Sequence, residues 1–129
     1  MSSHRAHGLF AHITWHTWRR TRCIRRVDAE IVARAIRESA ERAGTHVLAQ
    51  AILADHVHLL VSFAPDQALT PFIRDAKSES SRRVNRERAD QLRWARGYYA
   101  GSISHSQIPA TRTYLARQYL RHPLLIPSG

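Results

Sequence analysis

The sequence predicts an α+β fold in which one antiparallel sheet carries two helices on one face, and three observations support this class. Segments with the two-residue alternation of strands occur near the start of the chain and in its last third. Two neighbouring stretches rich in valine, leucine and isoleucine lie in the middle. Two segments with the apolar repeat of helices separate these strands. The order strand, helix, strand, strand, helix, strand is the βαββαβ unit of ferredoxin-like folds, and an added C-terminal helix follows it.

Turn and capping residues set the expected limits of these elements. Asp28 and Thr70 are placed to cap the first two helices, and Gly44 is placed to close the first one. Ala54 and Asp55 allow a tight turn between the two middle strands. The expected elements are a strand over residues 9–18, a loop over 19–26, a helix over about 28–43, strands over 46–53 and 55–63, a helix over about 70–85, a strand over 98–104 and a helix over about 112–121.

Prolines mark the C-terminal part of the chain. Pro109 is expected to break the chain before the last helix, which Thr111 would cap. Pro123 and Pro127 indicate a loose tail, and the charged segment 86–93 favours neither helix nor loop. We expect one domain over residues 1–129, with its core at about 9–121 and the tail at 122–129.

Charge and cysteine content limit the classes of function. The 129 residues carry a formal net charge of +10, and Lys77 is the only lysine among 20 basic residues. Arginine binds phosphate with a planar fork and stacks on bases, which favours a nucleic-acid partner, although a genome rich in G and C would also raise the arginine count. Cys23, the only cysteine, excludes an intrachain disulfide and a cysteine-based zinc site and fits a reducing cytoplasm. No apolar run approaches the roughly 20 residues of a membrane span, so no membrane partner is expected.

Two histidines in the third predicted strand are candidate metal ligands. His56 and His58 are two residues apart, so in a strand they point to the same face, opposite Val57 and Leu59. Two imidazoles on one side form half of a metal site. In a chain with nine histidines, the alternative is a pair of solvated strand residues. In the first strand, His12, Thr14 and His16 also share one face.

A tyrosine and a glutamine in the last predicted helix form the second candidate pair. Tyr114 and Gln118 are four residues apart, so they lie on the same face of a helix, one turn from each other. An amide oxygen is a hard ligand that suits Mg²⁺ or Mn²⁺. The alternative is a surface glutamine beside a packed tyrosine.

Several stretches together resemble one family. The segments FAHITWHTWRR, ILADHVHLLVSF, KSESSRRVN, WARGYYAGSIS and TYLARQ occur in this order over about residues 12–118. They resemble the HUH single-tyrosine transposases of insertion sequences, and most closely the REP-associated tyrosine transposase type. The resemblance implies a ferredoxin-like fold and a metal-dependent enzyme that nicks and joins single-stranded DNA, at hairpin-bearing ends, in the cytoplasm of a bacterium and near its nucleoid.

The resemblance also implies roles for four residues. His56, His58 and Gln118 would bind a divalent metal, Mg²⁺ or Mn²⁺, and Tyr114 would be the nucleophile that becomes linked to a 5′ phosphate and leaves a free 3′ hydroxyl. Two positions depart from the family pattern. Ala54 stands where the family often has proline, and Ser78 stands where it often has glycine. Both departures concern the backbone near the site, and the four chemical positions are filled.

The other tyrosines have different expected places. Tyr98 and Tyr99 lie in a predicted strand, where one of them would belong to the core, and Tyr119 would point to another side of the helix from Gln118. Trp15 and Trp18 are expected in the core rather than on the surface.

Basic residues with aromatic neighbours suggest a DNA-binding surface. Phosphate contacts and base stacking suit single strands and hairpin ends, whereas a solvated basic face is the alternative for any one arginine. The candidates are Arg19, Arg20, Lys77, Arg82, Arg83, Trp94 and Arg96.

Two other classes of function remain open from the sequence. A catalytically inactive ferredoxin-like module could bind single-stranded nucleic acid through its open face, but no matching glycine-aromatic signature is present. A metal-storage or toxin-like protein would explain neither the tyrosine nor the charge. The sequence also leaves open a monomer or a homodimer that exchanges the last helix.

Overall fold

The computed structural model describes residues 8–89 and 91–129, so residues 1–7 and 90 of the predicted domain lie outside the described part. Four strands form one antiparallel sheet in the order β2-β3-β1-β4. This confirms the predicted α+β class and the βαββαβ order. The helices and strands are β1 (Leu9–His16), α1 (Arg26–Ala43), β2 (His46–Ile52), β3 (His56–Phe63), α2 (Leu69–Arg86), β4 (Tyr99–Ile103), α3 (Ile108–Ala116) and α4 (Gln118–Arg121).

The two faces of the sheet pack against different partners. The main core lies between the sheet and helices α1 and α2, and it contains Ile13, Val57, Leu59 and Phe72. A smaller apolar cluster on the opposite face joins Leu60 to Leu115 of α3, with Ala51 and Leu53. The predicted alternation of β3 is therefore confirmed, since Val57 and Leu59 face one side and Leu60 the other.

The pairing of β1 with β3 brings histidines from both strands together. Residues directly opposite each other in an antiparallel pair point to the same face. His16 lies opposite His56, Thr14 opposite His58, and His12 opposite Leu60. The face that carries the histidine pair of β3 therefore also carries the polar residues of β1.

The start of α1 differs from the prediction. Arg25, not Asp28, is the residue that precedes the helix, and Asp28 lies in its first turn. The buried Asp28 carboxylate accepts hydrogen bonds from the backbone and side chain of Arg25 and from Arg88. Burial alone would raise the pKa of Asp28, but these bonds and the charges of both arginines lower it. Asp28 therefore contributes to the start of the helix from its first turn, through a capping box with Arg25, and it also pairs with two arginines.

The start of α2 also differs. The helix begins at Leu69, after Ala68, so Thr70 is not its cap. The Thr70 hydroxyl instead lies 2.6 Å from the hydroxyl of Tyr98, the residue directly before β4. The hydroxyl of Thr70 therefore bonds to a residue far away in the sequence instead of capping its own helix.

The last predicted helix is longer and is interrupted. Helix α3 begins at Ile108 with Pro109 in its first turn, where proline is tolerated, so Pro109 is not a breaker and Thr111 is not the cap. The helix ends at Ala116, Arg117 follows as its C-cap, and the short α4 begins at Gln118.

The C-terminal segment 122–129, expected to be a loose tail, makes hydrogen bonds with the body of the molecule. The Leu125 carbonyl accepts a 2.7 Å hydrogen bond from the backbone N–H of Ala54, in the β2–β3 turn. Pro127 is buried, and the Ser128 carbonyl accepts from the N–H of Arg26. The tail therefore runs back across the body of the molecule. Within the described part of the chain, no helix is long and apolar enough to cross a membrane.

Candidate active site

A cleft of about 590 Å³ opens on the sheet face that carries the histidines. Strands β1 and β3 form its floor, and α3 and the segment before β4 form its sides. Four of the residues that line it are the predicted metal ligands and nucleophile, His56, His58, Gln118 and Tyr114. The structure therefore brings together all four residues that the sequence resemblance singled out.

His56 is oriented by its neighbour in the β2–β3 turn. Nδ1 of His56 lies 2.6 Å from Oδ1 of Asp55, and both side chains are largely buried. A carboxylate only accepts hydrogen bonds, so Nδ1 of His56 carries the proton and donates it. In the neutral ring this leaves a lone pair on Nε2, which is the atom that faces His58.

His58 lies deeper than His56, between two other imidazoles. Its Nε2 is 3.1 Å from Nε2 of His56, and its Nδ1 is 2.9 Å from Nε2 of His12. The pKa of His58 is lowered to about 4, mainly by burial and also by the neighbouring histidines His56, His12 and His122. His58 is therefore a neutral imidazole at physiological pH, the form that binds metals.

Gln118 completes the polar group from the side of α4. It is 1% exposed, and its Nε2 donates a 3.2 Å hydrogen bond to the backbone carbonyl of Tyr114. A hydrogen bond with the Gln118 side chain raises the pKa of His58, which places this amide next to the histidine pair.

The donor set fits a divalent cation. Two ligands at right angles on an octahedral ion, with bonds of about 2.1 Å, lie about 3 Å apart, close to the 3.1 Å between the Nε2 atoms of His56 and His58. Among residues 8–89 and 91–129, no three His, Cys, Asp or Glu side chains are grouped to hold a metal. The amide oxygen of Gln118, which lines the same cleft, could supply a third ligand.

Tyr114 lies against this group within the same chain. Its ring stands edge-on to His58 and His12, with centroids 5.6 and 5.8 Å away. The side chain is 39% exposed, and the guanidinium of Arg121 lies 5.9 Å from its ring centroid. A phenol that is open to the cleft and next to two imidazoles can meet a phosphate held there.

Some of the predicted DNA-binding residues lie at the cleft. Arg20 and Arg96 line it. Lys77 does not line the cleft. Its Nζ donates to the carbonyls of Ala95 and Gly97, at 2.8 and 2.9 Å, in the segment that borders it. Burial lowers the pKa of Lys77. The lysine therefore holds the segment before β4 in place beside the cleft.

Arg19 and the adjacent Trp18 lie on the turn after β1. Trp18 was expected in the core but is 40% exposed, and the guanidinium groups of Arg19 and Arg93 lie 5.6 and 4.4 Å from its ring centroid. Both Arg19 and Arg20 have a positive φ, which is strained for these residues. The turn presents a stacked basic surface next to the cleft.

Two further candidates are engaged elsewhere. Arg82 pairs with Glu79, and Arg83 pairs with Glu79 and Glu38, between α2 and α1. Their charges are compensated on the helical side of the sheet, away from the histidines.

Trp94, the remaining candidate, packs with the core rather than on the surface. It packs edge-on against the buried Trp15 and donates from Nε1 to Ser80 at 3.0 Å. Its ring is therefore not presented as a stacking platform, whereas the prediction of Trp15 in the core is confirmed.

The remaining tyrosines differ in their exposure and in the direction of their side chains. Tyr98 and Tyr99 are 39% and 58% exposed, so the expectation that one belongs to the core is wrong. Tyr119 does point away from the cleft, as predicted, and its hydroxyl accepts a 2.9 Å hydrogen bond from the backbone N–H of Ile52.

Sequence reasoning missed two residues of the site. Asp55 was assigned only to the turn, and His12 only to a polar strand face. The signal for Asp55 is its position directly before His56. The signal for His12 is that it alternates with Thr14 and His16, but its contact with His58 depends on the register between β1 and β3.

Comparison with known families decides the assignment. A family model described as "Transposase IS200 like" matches residues 5–118. The chain belongs to the IS200-like transposase family. This confirms the resemblance to transposases of insertion sequences that was drawn from the sequence. Over 49 residues the chain is 39% identical to ISDra2 transposase TnpA of Deinococcus radiodurans, a match that covers 38% of this chain and 35% of that protein. The chain thus spans about a third of the length of this curated relative.

Two solved structures share the fold of this family member. A protein described as a proposed transposase of Deinococcus radiodurans R1 has a TM-score of 0.68 at 22% identity, over 85% of this chain and 90% of that one. A REP-associated tyrosine transposase bound to a REP hairpin has a TM-score of 0.73 at 14% identity, over 90% of this chain and 69% of that one. Both likenesses support the α+β sheet architecture.

Proposed function

We propose that this IS200-like transposase cuts and rejoins single-stranded DNA with a divalent cation, through a 5′-phosphotyrosine at Tyr114. The observation that carries the proposal is the contact of the Tyr114 ring with His58, which lies 3.1 Å from His56 through the facing Nε2 atoms. Nucleophile and ligand pair come from one chain, so the proposal needs no second copy to complete the site.

His56, His58 and Gln118 would hold the cation, which we take to be Mg²⁺ or Mn²⁺. When bound, the cation neutralises charge on the phosphate oxygens and favours attack on phosphorus. Asp55 keeps the lone pair of His56 Nε2 available by accepting from Nδ1. Two neutral imidazoles and one amide leave the charge of the cation uncompensated, which suits an anionic substrate.

Tyr114 would perform the covalent step. Its hydroxyl oxygen forms a bond to the 5′ phosphorus while the bond from phosphorus to the 3′ oxygen of the preceding nucleotide breaks. The phenol proton goes to solvent, and the departing 3′ oxygen takes up a proton to become a hydroxyl. Attack by a 3′ hydroxyl on the phosphotyrosine reverses both changes, so joining requires no nucleotide cofactor.

The cleft and its basic border would hold the DNA strand. Arg20 and Arg96 line the cleft, and Arg19 and Trp18 lie on the adjacent turn. Arginines beside exposed aromatics bind single strands through phosphate contacts and stacking. The solved REP-associated tyrosine transposase is bound to a hairpin, and this supports hairpin-bearing ends as substrates.

A catalytically inactive nucleic-acid-binding module is the second candidate. The exposed Tyr98 and Tyr99 beside the cleft would suit stacking of bases. Such a module gives no reason for a buried glutamine next to two histidines, and it predicts binding without a covalent product.

The test is covalent capture of DNA. The protein is incubated with a labelled pool of single-stranded hairpins with randomised flanks and with Mn²⁺, and the adduct is resolved under denaturing conditions. We expect an adduct with the wild-type chain and none with Tyr114→Phe, because the phosphorus then has no attacking oxygen. Tyr119→Phe is the matched control and should retain the adduct. An adduct that persists in Tyr114→Phe would falsify the assignment of the nucleophile, and unimpaired DNA binding without any adduct would favour the inactive module.

A further inference from the structure

We propose that His12 is a positioning residue of the histidine pair, and that it reverses its hydrogen bond with His58 when the pair takes up a divalent cation. The inference rests on the metal site proposed above. It starts from a row of four side chains, Asp55, His56, His58 and His12, whose facing atoms are 2.6, 3.1 and 2.9 Å apart in turn.

The carboxylate at one end sets the direction of the bonds before a cation binds. Asp55 accepts from Nδ1 of His56, so Nε2 of the neutral His56 ring can only accept. The 3.1 Å contact then requires the proton of His58 on Nε2. Nδ1 of His58 is left as an acceptor, and Nε2 of His12 must donate to it. Each imidazole carries one proton in this arrangement.

A cation between His56 and His58 requires the opposite arrangement at His58. Its Nε2 must offer a lone pair, so the proton on Nε2 goes to water, and Nδ1 takes the proton from Nε2 of His12. Nδ1 of His12 takes up a proton from water, so the number of bound protons does not change. His12 also lines a groove of about 560 Å³ between β4 and α3, which gives its ring a route to solvent. After the exchange, Nε2 of His12 accepts from Nδ1–H of His58.

The geometry suits such an exchange. The ring centroids of His12 and His58 are 5.2 Å apart and the facing nitrogens are 2.9 Å apart, so both nitrogens lie between the rings and point towards each other, as a hydrogen bond requires. His58 is buried, and a buried N–H without an acceptor is costly. His12 can both donate and accept, so Nδ1 of His58 keeps a hydrogen bond before and after the cation binds. An apolar side chain at this position could not provide either bond.

The direct test is the tautomer of His58, read from ¹⁵N chemical shifts of histidine-labelled protein. Without metal we expect His58 protonated on Nε2, and with saturating Mg²⁺, which is diamagnetic, we expect it protonated on Nδ1. The first half of this measurement needs no metal and no activity. Protonation on Nδ1 in both conditions would overturn the exchange, because His12 would then never donate.

Two variants separate positioning from a merely structural role. His12→Phe keeps a ring of similar size but cannot accept, and we expect Mg²⁺ and Mn²⁺ affinity, measured by calorimetry, to fall by about 10–100-fold. His12→Gln carries both a donor and an acceptor near the position of Nε2, and should remain within about threefold of wild type. Unfolding curves of both variants identify any loss that reflects folding alone, and if His12→Phe does not fold, the tautomer and His12→Gln measurements still decide.

The outcome also separates this inference from the proposed function. His56→Ala should abolish metal binding if the proposed site is correct. If it does so while His12→Phe binds metal as tightly as wild type, the site stands and the role of His12 is refuted. If His56→Ala leaves metal affinity unchanged, the metal site itself is wrong, and the inference fails with it.

Discussion

The two faces of the sheet are stabilised and used differently. On the face covered by α1 and α2, side chains such as Ile13, Leu59 and Phe72 are almost fully buried and apolar. On the opposite face, α3 packs through a small cluster around Leu60 and Leu115, and the rest is the polar row of histidines. One face therefore mainly provides stability and the other mainly provides chemistry. A substitution on the helical face should mostly change the free energy of unfolding, and a substitution on the polar face should mostly change metal or DNA binding.

The largest effect is expected on the helical face. Phe72 is 1% exposed and packs within the main core. Phe72→Ala should lower the free energy of unfolding by about 3–5 kcal/mol, because it removes apolar contacts and leaves a cavity. Urea denaturation measures this change. The folded fraction of the variant should bind Mn²⁺ with wild-type affinity, and a loss of unfolding free energy below about 1 kcal/mol would contradict the comparison.

A substitution on the polar face should lower metal affinity more than it lowers the free energy of unfolding. Asp55→Asn replaces the carboxylate that accepts from His56 by a weaker amide acceptor. Metal affinity should fall by about 10-fold, since partners that orient ligating histidines typically contribute 10–100-fold. Calorimetric titration with Mn²⁺ measures it, and Asp66→Asn, in the exposed turn after β3, is the matched control. Equal affinities of the two variants would show that Asp55 does not orient His56.

The comparison also shows what the sequence could predict. The strand faces of β1 and β3 were correct because alternation is local, and the resemblance picked out the pairs His56/His58 and Tyr114/Gln118 because each pair is closely spaced along the chain. The pattern within each strand was therefore enough to predict which of its residues face the main core and which face away from it.

The errors have a common physical cause in contacts between distant segments. Thr70 was expected to cap α2, but its hydroxyl meets Tyr98. Asp28 was expected to precede α1, but it lies in the first turn, where it accepts from the N–H of Arg25 and also pairs with Arg88 from another segment. The role of His12 likewise depends on strand register. A sequence pattern gives the preference of a residue, and the partner that the fold brings to it decides the outcome.

The smallest predicted effect concerns two kinds of arginine, those that line the cleft and those that pair with a carboxylate on the helical side. Arg20 lines the cleft, whereas Arg82 pairs with Glu79 on the helical side of the sheet. Binding of labelled single-stranded DNA, measured by fluorescence anisotropy over a series of NaCl concentrations, should have a salt slope reduced by about one in Arg20→Ala, because one phosphate contact is lost. Arg82→Ala has the same charge change and should leave the slope close to wild type, since its charge is already compensated by a carboxylate. An equal reduction in both variants would mean that DNA also contacts the helical face, and that the two faces do not divide stability from chemistry.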